Sequence, residues 1–138
     1  LNRFRLPWRR ETGDKSFVNL TKKKADAGVV VLELSGYIRM GPDCKQLTNQ
    51  VDELIRENES RVILDLSGVD LIDSAGIGTI VLCFSRLKKA GGSLRIAGAK
   101  GMVDTVLHTT QVHRAISLFP AVADAAKDFP PASSPPQN

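Results

Sequence analysis

Asp73, Ser74, Ala75, Gly76, Ile77 and Gly78 place a carboxylate and a hydroxyl directly before residues that are almost without side chains. Asp73 or Ser74 can accept hydrogen bonds from the first free N–H groups of a following helix. Ala75, Gly76 and Gly78 leave that first turn nearly bare. A hydroxyl at such a place is exposed, lies at the positive end of a helix dipole and can be approached closely by another protein. By themselves the same residues read more simply as a helix cap, with glycines that permit close packing.

Other chemistries find less support. Asp65, Asp70 and Asp73 could be taken for a metal cluster, but three carboxylates without a glycine-rich ligand loop are weak grounds for one. Gly76-Ile77-Gly78 begins like a dinucleotide fingerprint, yet Val81 stands where the third glycine belongs, and there is no P-loop Gly-Lys-Ser/Thr. No Gly-x-Ser-x-Gly elbow occurs. His108 and His113 are five apart, wrong for one helical face, and neither has a carboxylate beside it in sequence. Cys44 and Cys83 lack metal-ligand spacing and read as free thiols of a reducing cytoplasm. We therefore expect a binding module rather than an enzyme, with no cofactor, metal or catalytic residue.

The elements that must position the 73–78 stretch lie on either side of it. Residues 61–66 carry Val62, Ile63 and Leu64 in succession, a strand covered on both faces; Ser67-Gly68 should break it. From Ser74 to Lys89 the period is helical, with Ile77, Ile80, Val81, Phe84 and Leu87 on an inward stripe. Ser74, Gly78, Leu82 and Ser85 fall on another face, which makes Leu82 an expected partner contact instead of a core residue.

Upstream, residues 16–22 alternate as an edge strand, 22–28 form a polar turn and 29–37 a second strand, the two strands pairing as a hairpin. Gly41-Pro42-Asp43 starts a helix with Cys44, Leu47, Val51, Leu54 and Ile55 on one face. Downstream, Gly91-Gly92 ends the central helix, and residues 93–97 make a strand. Residues 100–110 make a short helix with Met102, Val103, Val106 and Leu107 inward. Residues 116–119 are the last strand, and Pro120 is the first residue of a final helix to 127. The expectation is an α/β domain over 16–129: a mixed sheet of about five strands with about four helices packed on it.

The net charge of +4 is unevenly spread. Residues 1–26 hold eight Lys/Arg against three Asp/Glu, and the rest of the chain eleven against twelve. The basicity belongs to an arm, residues 1–15, in which Arg3, Arg5, Arg9 and Arg10 are interleaved with Phe4 and Trp8. Such an arm could touch nucleic acid or an acidic membrane surface. Without a downstream aromatic-basic platform it reads as a solvated terminus, and no direct nucleic-acid binding is expected. Residues 130–138 (PPASSPPQN) read as a low-complexity, disordered tail. No apolar run has the length of a transmembrane span and none resembles a cleavable signal peptide, so the expected place is the cytoplasm. Leu1 in place of Met leads us to expect a trimmed or partial chain.

The box Asp73-Ser74-Ala75-Gly76-Ile77-Gly78, after the strand 62–66, resembles the D-S-[SAT]-G-[LI]-[GA] box of STAS domains, the anti-sigma factor antagonist family. Gly91-Gly92-Ser93-Leu94-Arg95-Ile96-Ala97-Gly98 resembles the family's next strand, and residues 32–36 its early L-x-L-S-G strand end. The resemblance implies a bacterial regulator that binds an anti-sigma factor acting as a serine protein kinase, the partner binding the ATP. It implies phosphorylation of Ser74 as the switch. Many members carry a second hydroxyl where this chain has Ala75, which leaves Ser74 as the acceptor. The resemblance also admits a STAS subunit of a membrane transport or lipid-transfer assembly. A small-molecule or nucleotide sensor holding an anion at the Gly76–Gly78 turn stays open as well.

Overall fold

The computed structural model describes residues 18–25 and 28–133. The basic arm, the start of the expected first strand and residues 134–138 lie outside the described residues. Five strands form one sheet in sequence order: β1 (Asn19–Lys24), β2 (Val30–Ile38), β3 (Arg61–Ile72), β4 (Ser93–Ala97) and β5 (Leu118–Phe119). β1 and β2 pair antiparallel as the expected hairpin; the pairs β2–β3, β3–β4 and β4–β5 are parallel. Each parallel step needs a crossover, supplied by the helices α1 (Pro42–Arg56), α2 (Ser74–Lys89) and α3 (Gly101–Thr109). α4 (Val122–Ala126) follows β5.

The two faces of the sheet are covered unequally. On one, Val30, Leu32, Leu34, Val62, Leu64, Leu66, Leu94 and Ile96 pack with Leu47, Val51 and Leu54 of α1, Ile77, Ile80, Cys83 and Leu87 of α2, and Val103 and Leu107 of α3. The other holds a smaller cluster of Val29, Val31, Ile63, Ala97, Ala125 and Phe129. There Arg95 donates to the carbonyls of Ala125 and Lys127, both at 2.9 Å, and lies 4.4 Å over the Phe129 ring. Because β2 and β3 carry apolar side chains to both faces, they read as continuous runs rather than alternating ones.

Several local expectations are corrected. Ser67-Gly68 does not end β3. The strand continues to Ile72, and its register against β2 slips between Glu33 and Ser35 and again between Gly36 and Tyr37. At each slip β3 holds one residue more than β2, so a bulge replaces the break. A Cβ on Gly68 would sit 2.8 Å from the Ser35 Cβ, which is why this position suits glycine. β1 runs on to Lys24, taking in residues expected in the turn. Val81 is 42% exposed instead of inward, and Cys83 takes the buried position. Met102 is exposed too. Ile116 is buried but precedes β5, and Pro120 lies before the cap residue Ala121 of α4. Of the stretch 130–138 expected as a tail, residues 130–133 are described, and there the Ser133 N–H donates to the Gly91 carbonyl at 2.8 Å.

Candidate functional site

β3 delivers the chain to the carboxyl edge of the parallel strands, where the Asp73 N–H donates to the Ile38 carbonyl at the end of β2 (3.1 Å). Asp73 is the N-cap of α2: its Oδ1 accepts from the Gly76 N–H at 2.8 Å. Its Oδ2 accepts from the Met40 N–H at 3.1 Å, in the loop between β2 and α1. Partial burial pushes the Asp73 carboxyl up, but the N–H groups of Gly76, Met40 and Ala75, with the charge of Arg39, outweigh it. The group is held below the usual carboxylate range.

Ser74 is therefore the first residue of the helix and is exposed. Its hydroxyl stands where the free N–H groups of α2 favour added negative charge. The two glycines after it differ in kind. A Cβ on Gly76 would meet Ile72 Cγ1 at 2.7 Å and the Ile38 carbonyl oxygen at 2.8 Å, so Gly76 lets the helix seat against the strand ends. A Cβ on Gly78 would have nothing within 4 Å. The structure demands no glycine there; the position keeps the surface beside Ser74 bare. Val81 and Leu82 continue this outer face, 42% and 44% exposed, while Ile77 of the same box points into the core. Thr79, the nearest other hydroxyl on the helix, donates to the Ala75 carbonyl at 2.8 Å.

The loop that meets Asp73 was not singled out from the sequence. Asp43, only 3% exposed, accepts from the Val18 N–H at 2.9 Å and the Arg39 N–H at 3.2 Å. No periodic pattern announces such a carboxylate. The signal available was an acidic residue directly after Gly41-Pro42 at a helix start.

The remaining candidates do not join the site. Asp65 Oδ1 accepts from the Ser67 N–H in the β3 bulge. Among the described residues no group of three or more His, Cys, Asp or Glu is placed to hold a metal ion. His108 and His113, expected apart, have ring centroids 4.4 Å from each other, because the turn after α3 folds His113 back. Asp104 Oδ1 lies 3.4 Å from His108 Nδ1, one helical turn away. Both cysteines are free, and burial pushes the Cys83 thiol up to about 12.

The STAS domain family model matches residues 21–125. The chain belongs to the STAS domain family. It is 29% identical over 103 residues to a Bordetella bronchiseptica protein provisionally named as the anti-sigma factor antagonist BtrV, covering 75% of this chain and 84% of that one. The structure of an anti-sigma factor antagonist from Mycobacterium paratuberculosis superposes with a TM-score of 0.72 at 22% identity, over 81% of this chain and 93% of that one. A sulfate transporter family protein from Wolinella succinogenes shares the fold at a TM-score of 0.60 and 18% identity, over 75% and 85% of the two chains. No helix among the described residues is long and apolar enough to cross a membrane.

Proposed function

We propose that this STAS domain is an anti-sigma factor antagonist, a binding module that docks a kinase-type anti-sigma factor on the outer face of α2. Phosphorylation of Ser74 switches it off. The observation that carries the reading is the exposed Ser74 hydroxyl at the first position of α2, bordered by the vacant surface over Gly78 and the exposed pair Val81 and Leu82. The names of the relatives point the same way. The partner supplies ATP. Ser74 Oγ attacks the γ-phosphorus, its proton passes to a base of the partner, and ADP leaves.

The product adds nearly two negative charges at the helix N-terminus, where free N–H groups favour them and the fold tolerates them. A partner surface lying on Gly78 and Leu82 would have to desolvate that charge. A loss of a few kcal/mol there is a hundredfold or more in affinity.

Incubated with its cognate anti-sigma factor kinase and ATP, the chain gains one phosphate, on Ser74, and Ser74→Ala gains none. Phosphopeptide mapping that finds only Thr79 or Ser67 modified, or nothing, overturns the switch. In the alternative, the same exposed face docks on a subunit of a membrane transport or lipid-transfer assembly, as the fold shared with a transporter family protein permits. That reading requires binding without any phosphate transfer.

A further inference from the structure

Among the described residues, Met40 is the most exposed large apolar side chain, at 75%. A single exposed apolar group is ordinary on a protein surface. What sets Met40 apart is the way its backbone is held. In the short loop between β2 and α1, the Arg39 N–H donates to Asp43 Oδ2 at 3.2 Å, and the Arg39 carbonyl accepts from Cys44 Sγ at 3.3 Å. The Met40 N–H donates to Asp73 Oδ2 at 3.1 Å, and the Gly41 carbonyl accepts from the Lys45 N–H at 3.1 Å. Three consecutive residues are thus tied, two of them to carboxylates, while the tip of the loop carries a bare thioether side chain.

Such an arrangement suits binding. A contact residue on a fixed backbone loses less freedom on docking than one on a loose loop. The unbranched, polarizable methionine side chain fits irregular apolar sockets. The tie to Asp73 also gives Met40 its address. One oxygen of Asp73 is enough to cap α2 through Gly76; the other reaches across to Met40, so the residue before Ser74 sets where Met40 stands relative to that hydroxyl.

We propose that Met40 is an anchoring contact for the protein that engages Ser74, and that Asp73 is the positioning residue holding Met40 in register with it. The inference rests on the proposed function. Its occupant is the anti-sigma factor, presenting an apolar socket beside the surface that receives Ser74.

The test is a binding titration against the cognate anti-sigma factor kinase, with exchange of the Met40 amide followed by NMR in the free protein. Met40→Ala weakens binding about tenfold with the melting temperature unmoved, and Met40→Leu restores most of it. Asp73→Asn keeps the size but leaves one acceptor oxygen for two N–H donors. In that variant the Met40 amide exchanges at least about tenfold faster relative to the core Leu64 amide. Adding Met40→Ala to Asp73→Asn then costs less than about threefold more, because the two losses are coupled.

If Met40→Ala binds like wild type while Ser74→Glu abolishes binding, this inference is overturned and the proposed function stands. If Ser74→Glu also binds like wild type, the proposed function fails and carries this inference down with it. Full additivity of the two substitutions, or unchanged Met40 exchange in Asp73→Asn, removes the positioning role of Asp73.

Discussion

The inner and outer faces of α2 are built from similar residues and do opposite things. Inside are Gly76, Ile77, Ile80, Cys83 and Leu87, all buried. Outside are Ser74, Gly78, Val81, Leu82 and Ser85, all exposed. Each face has a glycine near the helix start and a run of aliphatic groups beyond it. On the inner face the glycine is imposed by contact with Ile72 and Ile38, and the aliphatic groups fill the main core. On the outer face the glycine meets nothing, and Val81 and Leu82 remain without cover in the single chain. A residue that packing does not require is freer to serve a partner, so the informative glycine here is Gly78.

Substitutions can break or sharpen this contrast. The largest effect is expected inside. Ile80→Ala removes a fully buried side chain and should cost about 2–5 kcal/mol of unfolding free energy, read from denaturant midpoints. Gly76→Ala should cost about 1–3 kcal/mol, since its methyl meets the Ile38 backbone and that overlap outweighs the gain in helix propensity. Gly78→Ala is the control for the pair. It should be neutral or stabilising by up to about 1 kcal/mol, because the methyl enters vacant space on an exposed helix. A destabilising Gly78→Ala would mean that the two glycines are not different in kind.

The outer aliphatic group completes the comparison. Leu82→Ala should change stability by no more than about 0.5 kcal/mol, against the cost of a core leucine, while weakening binding of the partner proposed above. A large fall in the melting temperature would place Leu82 in the core after all, and unchanged binding would make it an ordinary surface residue.

The smallest perturbation is chemical. Cys83, buried with its thiol pushed up to about 12, holds almost no thiolate at pH 8. A thiol reagent should leave it unmodified in the native protein and label it only after denaturation. Prompt native-state labelling of Cys83 would show that the inner face opens.

How much of this was legible in the chain depends on whether the signal was local. The hairpin, the start of α1 at Gly41-Pro42-Asp43, the span of α2 and the whole of β4 follow from turn residues, a cap and apolar spacing, all written within a few neighbours. Ser74 as the exposed hydroxyl and Leu82 as an exposed leucine follow from the same periodicity. Which of Val81 and Cys83 faces inward did not. Apolar groups at helical spacing specify a stripe, but its exact rotation is set by the sheet and by α1, to which Arg86 is tied through both oxygens of Asp52 at 2.8 Å.

The sequence by itself determined a cap at Asp73 or Ser74, the bare first turn of α2 and the strand core at 62–66, because these depend on residue types at fixed short spacings. Only the tertiary structure decided the rest. The Ser67-Gly68 bulge exists because β2 lies beside β3, and Gly76 differs from Gly78 because Ile38 and Ile72 approach one and not the other. Asp73 reaches Met40 because the ends of β2 and β3 are neighbours in the sheet, although the two residues are 33 positions apart in the chain. Contacts across that separation depend on which strands pair, and a local pattern of side chains carries no record of the pairing.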